Sequence, residues 1–206
     1  IFLRRPFSVY DSRGRTLTIM YRVVGKGTDA LSSAARGTPL MVLGPLGCGF
    51  TPGKGTTPIV VAGGIGYAGV RMLLKRLGDR ATLFFGVTGK DELRLADDLG
   101  GTRVLASTLD GSFGFAGDVV GLLGRHLDNY RGKKPEVFAC GPSGMVKSLK
   151  ALLEPGRIPC QVSVEERMAC GMGLCFGCVV ATRDEASPYK RVCKEGPVFS
   201  LWDLSL

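Results

Sequence analysis

Residues 59–62, 82–87, 103–106 and 136–139 are short apolar runs, and three of them lead into stretches where apolar residues recur every three to four positions. Those stretches, 67–77, 119–127 and 143–153, read as helices. Strands alternating with helices predict a parallel, doubly wound sheet. Before residue 55 the pattern changes: Leu17-Thr18-Ile19-Met20-Tyr21-Arg22-Val23-Val24 alternates apolar and polar positions between glycine-rich turns. This predicts antiparallel strands, about four, too few to close a barrel. Thr51-Pro52-Gly53-Lys54-Gly55 reads as an interdomain linker without a buried anchor. From about Ile158 the chain reads as a strand, a cysteine loop, a hairpin through Val179-Val180-Ala181 and Arg191-Val192, and a short tail. The expected class is therefore α/β plus β: a partial antiparallel barrel over residues 1–55, an α/β nucleotide-binding domain over 56–156 and a small domain over 157–206.

Composition narrows the class of function. With 206 residues, 45% hydrophobic and 22% charged, the chain excludes disordered and collagen-like classes. Its apolar runs are far shorter than the roughly 18 residues of a membrane span, and the first residues lack a basic-then-apolar signal, so the expectation is a cytoplasmic protein without a membrane partner. Thirty-one glycines imply many tight turns and close backbone approaches to ligands. The net charge of +9 is scattered, with no basic run longer than two and no aromatic stacking platform, which argues against nucleic acid.

The cysteines carry the strongest signal. Cys48, Cys140 and Cys160 are isolated, but Cys170, Cys175, Cys178 and Cys193 form C-x4-C-x2-C with a fourth cysteine further on. That spacing suits a 2Fe-2S cluster, whose thiolates come from one glycine-rich loop, better than zinc, which usually takes two C-x2-C hooks. A segment of fewer than fifty residues normally needs such a staple. Val60-Val61-Ala62-Gly63-Gly64-Ile65-Gly66 is a strand running into a glycine turn and a helix start, a place for a pyrophosphate. A tight βα turn is the bland alternative, and the Rossmann carboxylate expected after the next strand is missing, because Phe84-Phe85-Gly86-Val87-Thr88 has none.

Cys140-Gly141-Pro142 places a thiol at the carboxyl end of a strand, where open α/β sheets bind ligands; an inert buried cysteine is the other reading. His126, the only histidine, reads as a surface residue. Arg5, Pro6, Phe7 and Ser8 offer a cation, a ring and a hydroxyl near one strand. A chain joining a two-electron nicotinamide to a one-electron cluster requires a flavin, and this segment is the best candidate for holding it.

Together these residues resemble the electron-transfer subunits of dihydroorotate dehydrogenase B, ferredoxin-reductase-like flavoproteins with an added 2Fe-2S domain. The resemblance runs from Leu3-Arg4-Arg5-Pro6-Phe7-Ser8 through Leu43-Gly44-Pro45-Leu46-Gly47 to Glu166-Arg167-Met168-Ala169-Cys170-Gly171 and Gly196-Pro197-Val198-Phe199. It implies that Arg5, Pro6, Phe7 and Ser8 hold FAD, with Met20, Tyr21, Arg22, Gly27 and Thr28 completing the site. NAD would lie at Gly63, Gly64, Gly66, Gly141 and Pro142 beside Cys140, the candidate catalytic residue, and Asp110, Gly111 and Ser112 would join the cofactor-binding set. The resemblance further implies an FMN-containing dihydroorotate dehydrogenase catalytic subunit as partner, in a heterotetramer. Family members carry several more strands before the Arg-x-x-Ser segment, so the flavin barrel is expected to be incomplete within these residues. A gamma-type subunit of a sulfhydrogenase or ferredoxin:NADP oxidoreductase is the alternative of the same class, and a zinc-bound structural module the alternative of another.

Overall fold

The computed structural model describes residues 3–206. In chain order the elements are β1 (Val9–Arg13), β2 (Thr16–Ile19), α1 (Lys26–Ser32), β3 (Thr57–Gly63), α2 (Tyr67–Leu77), β4 (Thr82–Val87), β5 (Arg103–Thr108), β6 (Phe115–Ala116), α3 (Val119–His126), β7 (Pro135–Cys140), α4 (Ser143–Leu153), β8 (Cys160–Ser163), β9 (Val179–Ala181), β10 (Tyr189–Arg191) and β11 (Val198–Ser200). A seven-stranded sheet runs in the order β11-β8-β7-β3-β4-β5-β6. It is parallel from β8 to β6, and β11 adds to the edge in the antiparallel sense. Strand order reverses between β3 and β7, which opens a ligand crevice at their carboxyl ends.

The apolar runs become strands because both faces of this sheet are covered. Ile59, Val61, Phe84, Val137 and Ala139 pack toward α3 and α4. Their neighbours Val60, Ala62, Leu83, Phe85 and Phe138 pack with Tyr67, Val70 and Leu74 of α2. Asp118 caps α3 by accepting from the Gly121 amide at 2.8 Å, and Gly78, with φ +60°, ends α2. No helix among the described residues is long and apolar enough to cross a membrane.

The region before residue 55 departs from expectation. Among the described residues it holds one antiparallel hairpin, β1–β2, in place of about four strands, and the seven-residue helix α1. The hairpin is fastened to α2 by charge: Lys75 Nζ donates to Asp11 at 2.7 Å, and buried Arg71 lies between Asp11 (3.5 Å) and Asp98 (2.7 Å). Tyr67 donates to the same Asp98 at 2.8 Å, and the Arg71 guanidinium lies 5.1 Å from the Tyr10 ring centroid. The Lys75 ammonium, helped by the Ser12 amide and Arg13, holds the Asp11 carboxyl down at about 2. Leaving Arg71 buried without these carboxylates would cost about 3–5 kcal/mol.

The linker is anchored rather than free. Buried Glu136 on β7 accepts from the Gly53 amide at 2.8 Å and from Thr56 Oγ1 at 3.0 Å, while Gln161 on β8 bonds Thr51 through both its amide atoms. A carboxylate inside the sheet edge needs such donors, and the linker backbone supplies them. The C-terminal segment is likewise no isolated unit, because β8 and β11 extend the large sheet across the expected boundary at residue 156. His126 is half-buried, its ring 5.8 Å from that of Phe84, where a surface position was expected.

Candidate functional site

The cysteine loop follows β8 and is closed by the hairpin β9–β10. Glycines at 171 and 173 take φ of +70° and +76°, which folds the loop so that its amides point at sulfur. Met172 N donates to Cys170 Sγ at 3.3 Å, Gly177 N to Cys175 Sγ at 3.4 Å, and Cys193 N to Cys178 Sγ at 3.5 Å. The thiols gather as two pairs, Cys170 with Cys175 and Cys178 with Cys193. Amides of Met172, Cys175 and Leu174 hold the Cys170 thiol down at about 6, whereas burial and the neighbouring Cys178 push the Cys193 thiol up. Two cysteine pairs with amide donors fit the two irons of a 2Fe-2S cluster.

At the crevice between β3 and β7, the turn Gly64–Gly66 leads into α2. Gly64 has φ +51°, and a β-carbon at Gly66 would lie 2.3 Å from the Cys140 carbonyl oxygen. Both glycines are therefore required, one by conformation and one by contact, and the turn runs into the N-terminus of α2, the helix end that favours an anion. Gly141 and Pro142 continue from β7 against Gly63, whose β-carbon would meet Met145 Sδ at 2.9 Å and Pro142 Cδ at 3.0 Å. A carboxylate does stand beyond the next strand over. Asp110, beyond β5, approaches Gly89, beyond β4, so closely that a β-carbon there would lie 2.5 Å from Asp110 Oδ2. Asp110 Oδ1 accepts from the Ser112 amide at 2.9 Å and from its hydroxyl at 2.6 Å, which lowers the carboxyl pKa and keeps it charged; Gly111, with φ +71°, makes the turn.

The flavin candidates lie beside this crevice. Arg5 packs on Gly27 of α1, where a β-carbon would strike its Nε at 2.8 Å. Thr28 accepts from the amides of Val24 and Gly25 and so fixes the start of α1. The Phe7 and Tyr21 rings meet edge to face at 5.6 Å. Met20 packs with the α2 side of the core, and Arg22 pairs with Glu92 at 3.2 Å. Pro6 is exposed. Gly69 joins the two halves: a β-carbon on it would lie 2.7 Å from Cys140 Sγ and 3.5 Å from Ser8 Oγ. The exposed cation of Arg5, the Phe7 ring and the Ser8 hydroxyl are groups that fit a flavin with its pyrophosphate.

Cys140 is 2% exposed, and burial, with the charge of Glu165, pushes its thiol up to about 12. Burial therefore favours its neutral S–H form. On the other side, Leu43 and Leu46 reach the cysteine loop: a β-carbon on Gly171 would touch Leu46 Cδ1 at 3.4 Å and Leu43 Cδ2 at 3.5 Å. Sequence reasoning grouped the Leu43–Gly47 motif with the family pattern but missed this contact and those of Arg191 with the cysteine loop. Gly69 is legible in the sequence as the last glycine of Gly64-x-Gly66-x-x-Gly69, but its contacts with Cys140 and Ser8 are not.

Residues 165–205 match the model of the iron-sulfur cluster binding domain of dihydroorotate dehydrogenase B. The chain is 38% identical to the electron transfer subunit of dihydroorotate dehydrogenase B (NAD(+)) of Caldanaerobacter subterraneus subsp. tengcongensis, covering 96% of this chain and 79% of that protein. It is 40% identical to the subunit of the same name from Desulforamulus reducens, covering 98% and 80%. A solved NADH-dependent reduced ferredoxin-NADP oxidoreductase superposes with a TM-score of 0.82 at 29% identity, covering 98% of this chain and 74% of that one.

Proposed function

The chain belongs to the family of dihydroorotate dehydrogenase B electron-transfer subunits, and from that premise we propose that it carries electrons from a dihydroorotate-oxidising, FMN-containing partner subunit to NAD by way of a 2Fe-2S cluster and FAD, in pyrimidine biosynthesis. The partner reading extends to a heterotetramer. Residues 1–55 serve the flavin, 56–156 the nicotinamide nucleotide and 157–206 the cluster. Held by these residues, the nucleotide supplies hydride chemistry, the flavin couples two-electron to one-electron transfer, and the cluster moves single electrons.

The chain's own groups prepare each place. Arg5 is a cation for the flavin pyrophosphate, and Phe7 and Tyr21 make an aromatic wall. The amides of the Gly64–Gly66 turn, at the start of α2, hold nucleotide phosphate. Cys140, kept protonated by burial, and Ser8 place two neutral hydrogen-bonding groups at Gly69, where flavin and nicotinamide rings would meet. Leu43 and Leu46, exposed apolar side chains, touch the cluster loop at Gly171. The observation that carries the reading is that the Leu43–Gly47 segment touches the cysteine loop and that Ser8 and Cys140 meet at Gly69 beside the crevice.

The test is co-expression with a dihydroorotate dehydrogenase catalytic subunit. The purified complex should contain iron, acid-labile sulfide and FAD and should form NADH from dihydroorotate. The likeness to a ferredoxin-NADP oxidoreductase favours a second reading, service to another redox protein. A complex that forms no NADH from dihydroorotate, while the chain with its cofactors reduces ferredoxin, would replace the first reading by the second.

A further inference from the structure

Arg191 closes β10 two residues before Cys193, and its guanidinium is used on every side. Nε donates to Glu195 Oε2 at 3.0 Å, Nη2 bonds Glu195 Oε1, and Glu195 also accepts from the Arg191 amide at 2.7 Å. The remaining edge crosses to the cysteine loop, where Nη1 donates to the Gly173 carbonyl at 2.7 Å. The flat face covers the Phe176 ring, 4.9 Å from its centroid. Gly173 lies between Cys170 and Cys175, and Phe176 between Cys175 and Cys178, so one side chain grips both spans of the loop.

Phe176 makes that grip consequential. Its φ is +54°, a left-handed backbone that a residue with a β-carbon holds only when its surroundings enforce it. The residue is 57% exposed, so burial does not enforce it; the Gly177 amide bonded to Cys175 Sγ spans the turn, and the Arg191 face covers the Phe176 ring. Cys178 and Cys193 also lie within the electrostatic reach of this cation.

We propose that Arg191, braced by Glu195, is a positioning residue for the cluster: it holds the Gly173 and Phe176 turns in the shape that presents four thiolates, and it sets the charge beside them. The inference rests on the cluster reading above. A planar fork that bonds and stacks at once is not replaced by an ammonium, so lysine keeps the charge and loses the grip.

The experiment uses the full chain with its cluster, in parent form and as R191M, R191K and E195Q, and reads iron release to a chelator and the cluster midpoint potential by redox titration with electron paramagnetic resonance. Parent protein without iron, sulfide and a signal would remove the cluster reading itself. Given an intact parent, R191M should release iron at least about tenfold faster and lower the midpoint by ~59 mV, a tenfold change in a one-electron equilibrium. R191K should speed release with the midpoint unmoved, and E195Q, which strips the counter-charge, should raise the midpoint. Should R191M retain no cluster, R191K and E195Q decide the matter. Iron release at the parent rate in R191K, or midpoints moving in the same direction in R191M and E195Q, would overturn the proposal.

Discussion

Gly66→Ala is the sharpest single perturbation of the nucleotide crevice. Gly66 has φ −57°, so alanine suffers no backbone strain there, and the cost is contact alone. The added carbon would lie 2.3 Å from the Cys140 carbonyl oxygen, 2.7 Å from the carbonyl carbon and 2.9 Å from Gly141 Cα. All three are backbone atoms at or just past the end of β7, so no side chain can swing aside. Overpacking of this kind costs about 1–3 kcal/mol. At roughly 2–4 °C per kcal/mol for a chain of this size, thermal unfolding should fall by about 4–8 °C for a cost near 2 kcal/mol. The turn must lift off β7 to relieve the contact, so NAD affinity should fall at least about tenfold.

Gly64→Ala is the control for this reasoning. It meets only Arg22 Nη2, at 3.9 Å, but takes φ +51°, so the cost is conformational, about 1–2 kcal/mol, and Gly64→Asn should recover part of it. Circular dichroism melts and calorimetric NAD titrations of the three variants decide the matter. Gly66→Ala melting within about 1 °C of the parent, with unchanged NAD affinity, would refute the contact argument.

Cys175→Ser should lower iron and acid-labile sulfide together, because one thiolate of the first pair is lost; a full complement of both would sink the four-cysteine assignment. In the metal-free chain, alkylation of Cys170 should rise with pH through a midpoint near 6, because the thiolate reacts and its amide donors stabilise it, while Cys140, buried and held near 12, stays unlabelled up to pH 9; peptide mass mapping reads both. The charged Asp110 beside Gly89 should exclude a 2'-phosphate, so NADH should be preferred to NADPH and Asp110→Ser should narrow the kcat/KM ratio about tenfold; equal use of both by the parent chain would contradict the placement.

The α/β part was legible because its signals are local. The apolar runs at 59–62 and 82–87 and the helical stretches at 67–77 and 143–153 match β3, β4, α2 and α4, each punctuated by glycine or proline. What stayed hidden depends on partners distant in the chain. Lys26-Gly27-Thr28 reads as a turn, and becomes the start of α1 only because Thr28 collects two amides and Arg5 covers Gly27. The strands β8 and β11 are too short to announce that they complete a sheet begun at residue 57. The linker composition conceals its anchor, since Glu136 lies about eighty positions on. Cysteine spacing marked all four cluster candidates, but their division into pairs and the bracing by Arg191 require the folded loop.

The two flanking segments are attached to the central sheet by different physics, and this gives them different weaknesses. The cluster segment joins through backbone ladders at β8 and β11, which neither salt nor moderate acid attacks. The β1–β2 hairpin, which follows Ser8, is held by Asp11, Arg71, Lys75 and Asp98. The Asp11 carboxyl sits at about 2 in the folded chain and at 3.8 when free, so its contribution is intact above about pH 4 and lost as pH falls through 2. Lys75 and Arg13 reach Asp11 from partly open positions, so dissolved ions weaken that grip first. Acid and high ionic strength together therefore peel the flavin side away while the cluster side stays in register, and a protease added under those conditions would cut ahead of residue 57 first.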